Sequence, residues 1–179
     1  MNIDEIIKKA DEIEGWFSEY EMRLLYPHIQ ALKPGSLLVE LGTYYGKSTR
    51  FFRLANKDIR IITIDVCKQY PVQVKIPEAI DPRVLAEGNI LQIAGDSHEI
   101  VKGFNLDIDF LFIDTRHTYE DTIQNLVEWG KYAKKYIACH DYHEGFKGVQ
   151  QAVDEYLQNN KKLSLVDLKG IGIALIKVA

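Results

Sequence analysis

Cysteine is almost missing from this sequence: Cys67 and Cys139 are the only two among 179 residues. They stand far apart and form no C-x-x-C pair, which argues against a disulfide framework or a cysteine zinc site. No apolar run approaches the ~20 residues that span a bilayer. Met1 to Gly15 is rich in Asp, Glu and Lys, unlike a secretory signal. The expectation is a cytoplasmic protein with no membrane partner. An excess of positive charge is also lacking, with 22 Lys and Arg against 26 Asp and Glu and a net charge of -4. No nucleic-acid partner is therefore expected, although a local patch for RNA stays open. Internal repeats, low-complexity stretches and Ser/Gly linkers are absent as well, so a single domain over residues 1–179 is expected.

What is present is an alternation of apolar runs and amphipathic segments. Ile3, Ile6, Ile7, Ala10 and Ile13 recur at helical spacing, with Gly15 as a stop. Ser18 and Glu21 form a capping box that opens a second helix towards Leu32, and Lys33-Pro34-Gly35 ends it. Apolar runs then predict strands at 37–41, 60–66, 89–94, 108–113 and 136–139, separated by helices at 48–55, 119–134 and 146–157. Two more strands, 163–168 and 171–178, flank Lys169-Gly170. Strands apolar on both faces and separated by helices imply a mostly parallel sheet covered on both sides. Two successive strands at the end cannot both be joined by a helix, so one runs antiparallel. The fold class is α/β, a Rossmann-like doubly wound seven-stranded sheet spanning 36–179, preceded by N-terminal helices at 1–33. The segment from Cys67 to Gly88, broken by Pro71, Pro77 and Pro82, is read as a loop over the active site or an ordinary surface connection.

The end of the first strand carries Glu40-Leu41-Gly42-Thr43-Tyr44-Tyr45-Gly46-Lys47-Ser48. Gly42 and Gly46 lie between strand and helix, where a tight turn brings backbone amides close to a ligand. Asp65 ends the next strand, placed to accept both hydroxyls of a ribose. Tyr44 stands where a dinucleotide fingerprint has the glycine that lets a pyrophosphate approach. A ligand with an ammonium and a sulfonium suits Glu40 and Tyr44 better, and S-adenosylmethionine is such a ligand. Asp96 and Ser97 follow the third strand, where they either contact the adenine edge or cap a helix.

Two further strand ends carry chemistry. Asp114-Thr115-Arg116-His117 follows the fourth strand and His140-Asp141-Tyr142-His143 the fifth. Adjacent strands bring both groups beside the methyl donor. Asp114, His140 and Asp141 are the candidate ligands for Mg²⁺ or another divalent cation, which would acidify a substrate hydroxyl. His117 is the candidate general base, with Asp114 and Asp141 positioning substrate or metal. Trp16 is read as core in preference to pocket wall, and His28 and His98 have no supporting context.

These motifs, together with Ile64-Asp65, Gly95-Asp96-Ser97, Phe112-Ile113-Asp114-Thr115-Arg116-His117-Thr118-Tyr119-Glu120 and Cys139-His140-Asp141, resemble the class I S-adenosylmethionine-dependent methyltransferases. The narrower likeness is to a small bacterial branch with a D-x-x-H-x-Y-E motif, related to macrolide sugar and catechol-type O-methyltransferases. The resemblance implies a seven-stranded sheet with an antiparallel last strand. It also implies cofactor contacts at Glu40, Gly42, Ser48, Asp65 and Asp96, metal ligation at Asp114 and His140-Asp141, and a base at His117. Two positions depart from the pattern: Thr115 replaces a glycine, and His140 replaces an acid found in the metal-binding relatives.

The expected function is S-adenosylmethionine-dependent O-methylation of a small hydroxylated acceptor, entering between the N-terminal helices and the Cys67–Gly88 segment. The alternatives are a non-catalytic S-adenosylmethionine-binding protein, motivated by Thr115 and His140, and a nicotinamide-dependent oxidoreductase. Homo-oligomerisation is left open.

Overall fold

A computed structural model describes residues 1–67, 80–166 and 172–178. At its centre lies β1 (Leu37–Leu41), whose five residues are all buried. It pairs in parallel with β2 (Arg60–Asp65) on one side and β4 (Ile108–Ile113) on the other. Beyond β2 lies β3 (Ile90–Ala94), and beyond β4 lies β5 (Ala133–Tyr142), both parallel to their neighbours. β7 (Gly172–Val178) runs antiparallel to β5 and to the edge strand β6 (Leu163–Val166). The order β3-β2-β1-β4-β5-β7-β6 matches the seven-stranded, mostly parallel sheet expected, with β7 the reversed strand. Strand order reverses between β1 and β4, the crevice where open α/β sheets take their ligands.

The N-terminal helices α1 (Ile3–Ala10) and α2 (Glu19–Gln30) each begin with a formed capping box, at Asn2/Glu5 and Ser18/Glu21. α1 buries Ile6, Ile7 and Ala10 and packs against α3 (Lys47–Ala55). Arg50 of α3 fixes the end of α1: its Nη1 donates to the Lys9 carbonyl at 2.6 Å and to Glu12 Oε2 at 2.9 Å. That anchor holds the chain from Glu14 to Phe17 across the crevice. Phe17 is buried against Phe51, Phe52 and Phe112, with ring centroids 5.6–5.9 Å apart.

Helix α4 (Pro82–Leu85) is capped by Asp81, and Asp96 caps α5 (Ser97–Ile100). α6 (Tyr119–Gly130) and α7 (Lys147–Asn159) pack together on one side of the sheet. Two expectations are corrected. The helix expected to reach Lys134 ends at Gly130, because β5 starts at Ala133, which pairs with Ile108. Sheet pairing there overrides local helix preference. β5 then continues to Tyr142, well past the expected 136–139. The loop expected over the active site lies mostly outside the described residues, as do Leu168, Lys169, Gly170 and Ile171. Among the described residues, no helix is long and apolar enough to cross a membrane.

Candidate functional site

The ends of β1, β2, β4 and β5 open into one cavity of about 660 Å³, floored by Gly42, Asp65 and Asp114 and walled by Glu14 to Phe17. Ligand sites are typically ~300–1,000 Å³, so the space accommodates a nucleoside-sized ligand and a small second molecule. Unusual backbone marks its rim. Tyr44, His117 and Asp141 line the cavity with φ of 50°, 57° and 59°, and Cys67, just after Asp65, has φ 52°. Left-handed non-glycine residues are costly and concentrate where geometry serves function.

Gly42 is required where it stands. Its φ is +90°, and a Cβ there would lie 1.7 Å from the Asp114 carbonyl oxygen. The Gly42 amide donates to Ile64 O and the Asp114 amide to Leu41 O, both at 2.8 Å, so three strand ends meet at this residue. Asp65 holds the turn that follows: its Oδ2 accepts from the Thr43 and Tyr44 amides at 2.8 and 2.9 Å, and its Oδ1 accepts from the Cys67 amide. The same carboxylate lines the cavity, beside Asp96 and Ser97. Asp96 does cap α5, through the His98 amide. Ser97 Oγ donates to Asn125 Oδ1 at 2.9 Å.

Glu40 and Gly46 stand behind the wall instead of in it. Glu40 is 0% exposed. Its carboxylate accepts from Ser48 Oγ at 2.5 Å, from Thr63 Oγ1 at 2.6 Å and from Thr49 Oγ1. Ser48 itself reaches the cavity, and Gly46, with φ +91°, begins α3. Burial pushes the Glu40 carboxyl up to about 7 in spite of the three hydroxyl donors, with Asp114 adding to the rise. A raised carboxyl stabilises the fold only while protonated. Stability should therefore fall as pH rises from 4.5 to about 7 and level off above, by on the order of 3 kcal/mol for this group. Urea unfolding at pH 5 and pH 8 checks this, because Glu40→Gln should be more stable relative to wild type at pH 8 than at pH 5.

Across the cavity, Asp114, His117, His140 and Asp141 bring ligand atoms within 4.8 Å of one another. His117 Nε2 lies 3.0 Å from both Asp114 Oδ1 and Asp141 Oδ2. A bulge in β5 explains how consecutive residues face one site. His140 pairs with Ile173 and Tyr142 with Gly172, so Asp141 is the inserted residue, and an inserted residue breaks the strict alternation of a strand. Burial pushes the Asp114 carboxyl up, but the charges of His140 and His117 outweigh it and hold it at about 2. Asp141 is lowered by the same two rings against its burial. Burial pushes the His117 imidazole down, yet Asp114 and Asp141 raise it to about 9, and His140 is raised against its own burial by Asp114, Asp141 and Glu21. Burial lifts the neighbouring Cys139 thiol to about 12, so it is no nucleophile.

The cavity also uses residues that the sequence reading passed over. Trp16, read there as core, is 71% exposed and lines the cavity, its ring 5.1 Å from that of Tyr44. Thr115 Oγ1 donates to Asp121 Oδ2 at 2.5 Å, and Asn125 Nδ2 donates to the same oxygen at 3.0 Å. The threonine that departs from the family glycine thus ties the end of β4 to α6. The signal was available, since Asp121 and Asn125 are polar residues one helical turn apart on the buried face of α6. His98, given no context, lies between Glu128 and Asp121 at 2.7 and 3.3 Å.

A protein-family model described as "Methyltransferase domain" matches residues 39–142, from the glycine turn through the end of β5. No curated protein matches the chain. Among solved structures, similarity extends to the SAH-bound methyltransferase PaMTH1 of Podospora anserina (TM-score 0.70, 14% identity, 99% of this chain and 87% of that one). It extends also to an O-methyltransferase of Bacillus cereus in complex with SAH (0.70, 14%, 99% and 90%). A third is TomG of Streptomyces achromogenes, an O-methyltransferase in complex with SAM (0.69, 19%, 98% and 90%). At these identities the likeness concerns the fold.

Proposed function

The chain belongs to the methyltransferase-domain family, and from that premise we propose that it transfers a methyl group from S-adenosylmethionine to a hydroxyl of a small acceptor. One observation carries this reading: a single cavity joins the strand-end ring of Gly42, Asp65, Asp96 and Ser97 to the Asp114–His117–His140–Asp141 cluster. The first set suits a nucleoside, the second a proton and a developing oxyanion. Structural neighbours whose names record SAM or SAH support the cofactor. Tyr44 supports the sulfonium ligand over a nicotinamide dinucleotide, because it stands where the dinucleotide fingerprint needs a glycine for the pyrophosphate to approach the backbone.

In the proposed reaction the acceptor oxygen attacks the sulfonium methyl carbon. The C–O bond forms as the S–C bond breaks, S-adenosylhomocysteine leaves, and the hydroxyl proton passes to His117 Nε2 in its neutral form, whose share grows as pH rises towards about 9. Asp114 and Asp141 orient that ring from both sides. Phe146 and Phe17 line the cavity beside His117 and His140, with ring centroids 5.0 and 6.1 Å away, and would shield that corner from water.

A divalent cation fits the donor set. Both ring nitrogens of His140 are buried without an aligned hydrogen bond, although carboxylate oxygens lie 3.1–3.4 Å away. Asp114, His140 and Asp141 would hold the ion. When bound it would supply Lewis acidity to the acceptor hydroxyl and leave His117 free of the proton that the two carboxylates otherwise keep on it.

Incubation with S-adenosylmethionine and a panel of hydroxylated acceptors, with and without divalent cations, tests the reading. S-adenosylhomocysteine release is expected with some acceptor; none with any would favour a binding protein without turnover. Asp65→Ala should weaken S-adenosylmethionine binding by ~1–3 kcal/mol in a calorimetric titration. Asp65→Asn, which still offers an oxygen to the Thr43 and Tyr44 amides, should lose less. Unchanged affinity in both would remove Asp65 from the site.

A further inference from the structure

The cation site has a partner behind it that no motif assigns. His140, 5% exposed, presents its two nitrogens to opposite sides. Nδ1 faces the cavity, 3.1 Å from Asp141 Oδ2 and 3.4 Å from Asp114 Oδ1. Nε2 faces away from it, 3.1 Å from Oε1 of buried Glu21. Glu21 is the capping-box residue of α2: its other oxygen accepts from the Ser18 amide at 2.6 Å. Gly172 of β7 leaves room for this reach, since a Cβ there would come within 3.0 Å of Glu21 Oε1. Neither His140 nitrogen makes an aligned hydrogen bond among the described residues. A buried imidazole is thus held with one nitrogen towards two carboxylates and the other towards a third.

We propose that Asp114, His140 and Asp141 form a site for a borderline dication such as Fe²⁺, Co²⁺ or Zn²⁺ in preference to Mg²⁺, with Glu21 as the positioning residue for His140. The inference rests on the methyltransferase reading for what the ion does, but not for whether it binds. Magnesium takes an oxygen shell and retains its waters, so one imidazole among three protein ligands disfavours it. Imidazole suits Fe, Ni and Zn ions better than Mg, and affinity for an N/O site rises from Mn through Fe and Co to Ni. A carboxylate on the far nitrogen fixes the tautomer and raises the basicity of the ligating one, and its loss typically costs 10–100-fold in metal affinity. Through Glu21 the ion is also coupled to the start of α2. Asp141, the inserted residue of the β5 bulge, turns its carboxylate to the same point.

The test uses the full chain and Co²⁺ as a visible probe, with no acceptor present. One equivalent of Co²⁺ is expected to give d–d absorption bands that persist in a large molar excess of Mg²⁺ and vanish on adding Zn²⁺. Glu21→Gln keeps the capping box and should weaken Co²⁺ binding roughly tenfold or more without moving the S-adenosylmethionine affinity. His140→Asp should shift the preference towards Mg²⁺. Displacement of Co²⁺ by equimolar Mg²⁺, or the absence of any Co²⁺ spectrum in folded wild-type protein, would overturn the proposal. Methyl transfer that proceeds with Mg²⁺ while Co²⁺ fails to bind would overturn it and leave the methyltransferase reading standing. A Co²⁺ site in a chain that binds no S-adenosylmethionine would uphold this inference and defeat that reading.

Discussion

His117→Ala is expected to slow methyl transfer ~10²–10⁴-fold, the range for loss of a general base, while S-adenosylmethionine affinity stays at the wild-type value. The reason is positional. His117 follows β4 in a left-handed conformation, φ 57°, and its ring nitrogen sits 3.0 Å from two carboxylates at the acceptor's side of the cavity. Among the described residues its polar and ring partners are Asp114, Asp141 and Phe146, and none belongs to the Gly42–Asp65 turn that would receive the nucleoside. Asp114 and Asp141 would lose the imidazole that pairs with them, so the variant should also bind cations differently. Single-turnover rates separate the chemical step from binding, and isothermal titration supplies the affinity. A wild-type rate removes the base role from His117. Equal losses of rate and cofactor affinity would instead show that the ring shapes the whole cavity.

Gly42→Ala should produce the largest loss of stability. Left-handed backbone costs a non-glycine residue ~1–3 kcal/mol, and a displaced neighbour adds ~1–3 kcal/mol more. Here the neighbour is the Asp114 carbonyl, 1.7 Å from the new Cβ, a backbone atom that cannot rotate away. β1 and β4 would have to part at the point where the cavity floor lies. Against a typical stability of ~5–15 kcal/mol, the variant should unfold at much lower urea and bind no S-adenosylmethionine. Gly35→Ala is the control. Its φ is +82° but nothing lies within 4 Å of its Cβ, so only the backbone cost should appear. If Gly42→Ala unfolds at the same urea concentration as Gly35→Ala, the close approach of β4 to the turn is not what fixes this glycine.

Why the site was legible from the residues, and where legibility stopped, follows from what kind of signal each residue carries. Gly42, Asp65, Asp114 and His140-Asp141 end apolar runs, and a parallel sheet must gather such ends on one edge. Topology alone therefore brought them together. Glu40 is a strand residue of the same kind, yet it turned out to be buried among three hydroxyls, because sequence position cannot say which side of the turn a carboxylate takes. Trp16 lies between the two N-terminal helices and Glu21 in the second, and the docking of this region over the crevice depends on Arg50 and Phe17, contacts made across more than 30 residues. No local pattern announces those. The end of α6 and the length of β5 were misjudged for a related reason: pairing with β4 decided them. The β5 bulge, which aims His140 and Asp141 together, leaves no mark in composition.

The central claim is that the cavity over Gly42 and Asp65 holds S-adenosylmethionine with its methyl group turned towards the Asp114–His117 corner. Calorimetric titration of the wild-type chain with S-adenosylmethionine, and separately with NAD, tests it most directly. The account predicts saturable one-to-one binding of S-adenosylmethionine, weakened in Asp65→Ala, and no binding of NAD. Tight NAD binding with no response to S-adenosylmethionine would contradict it.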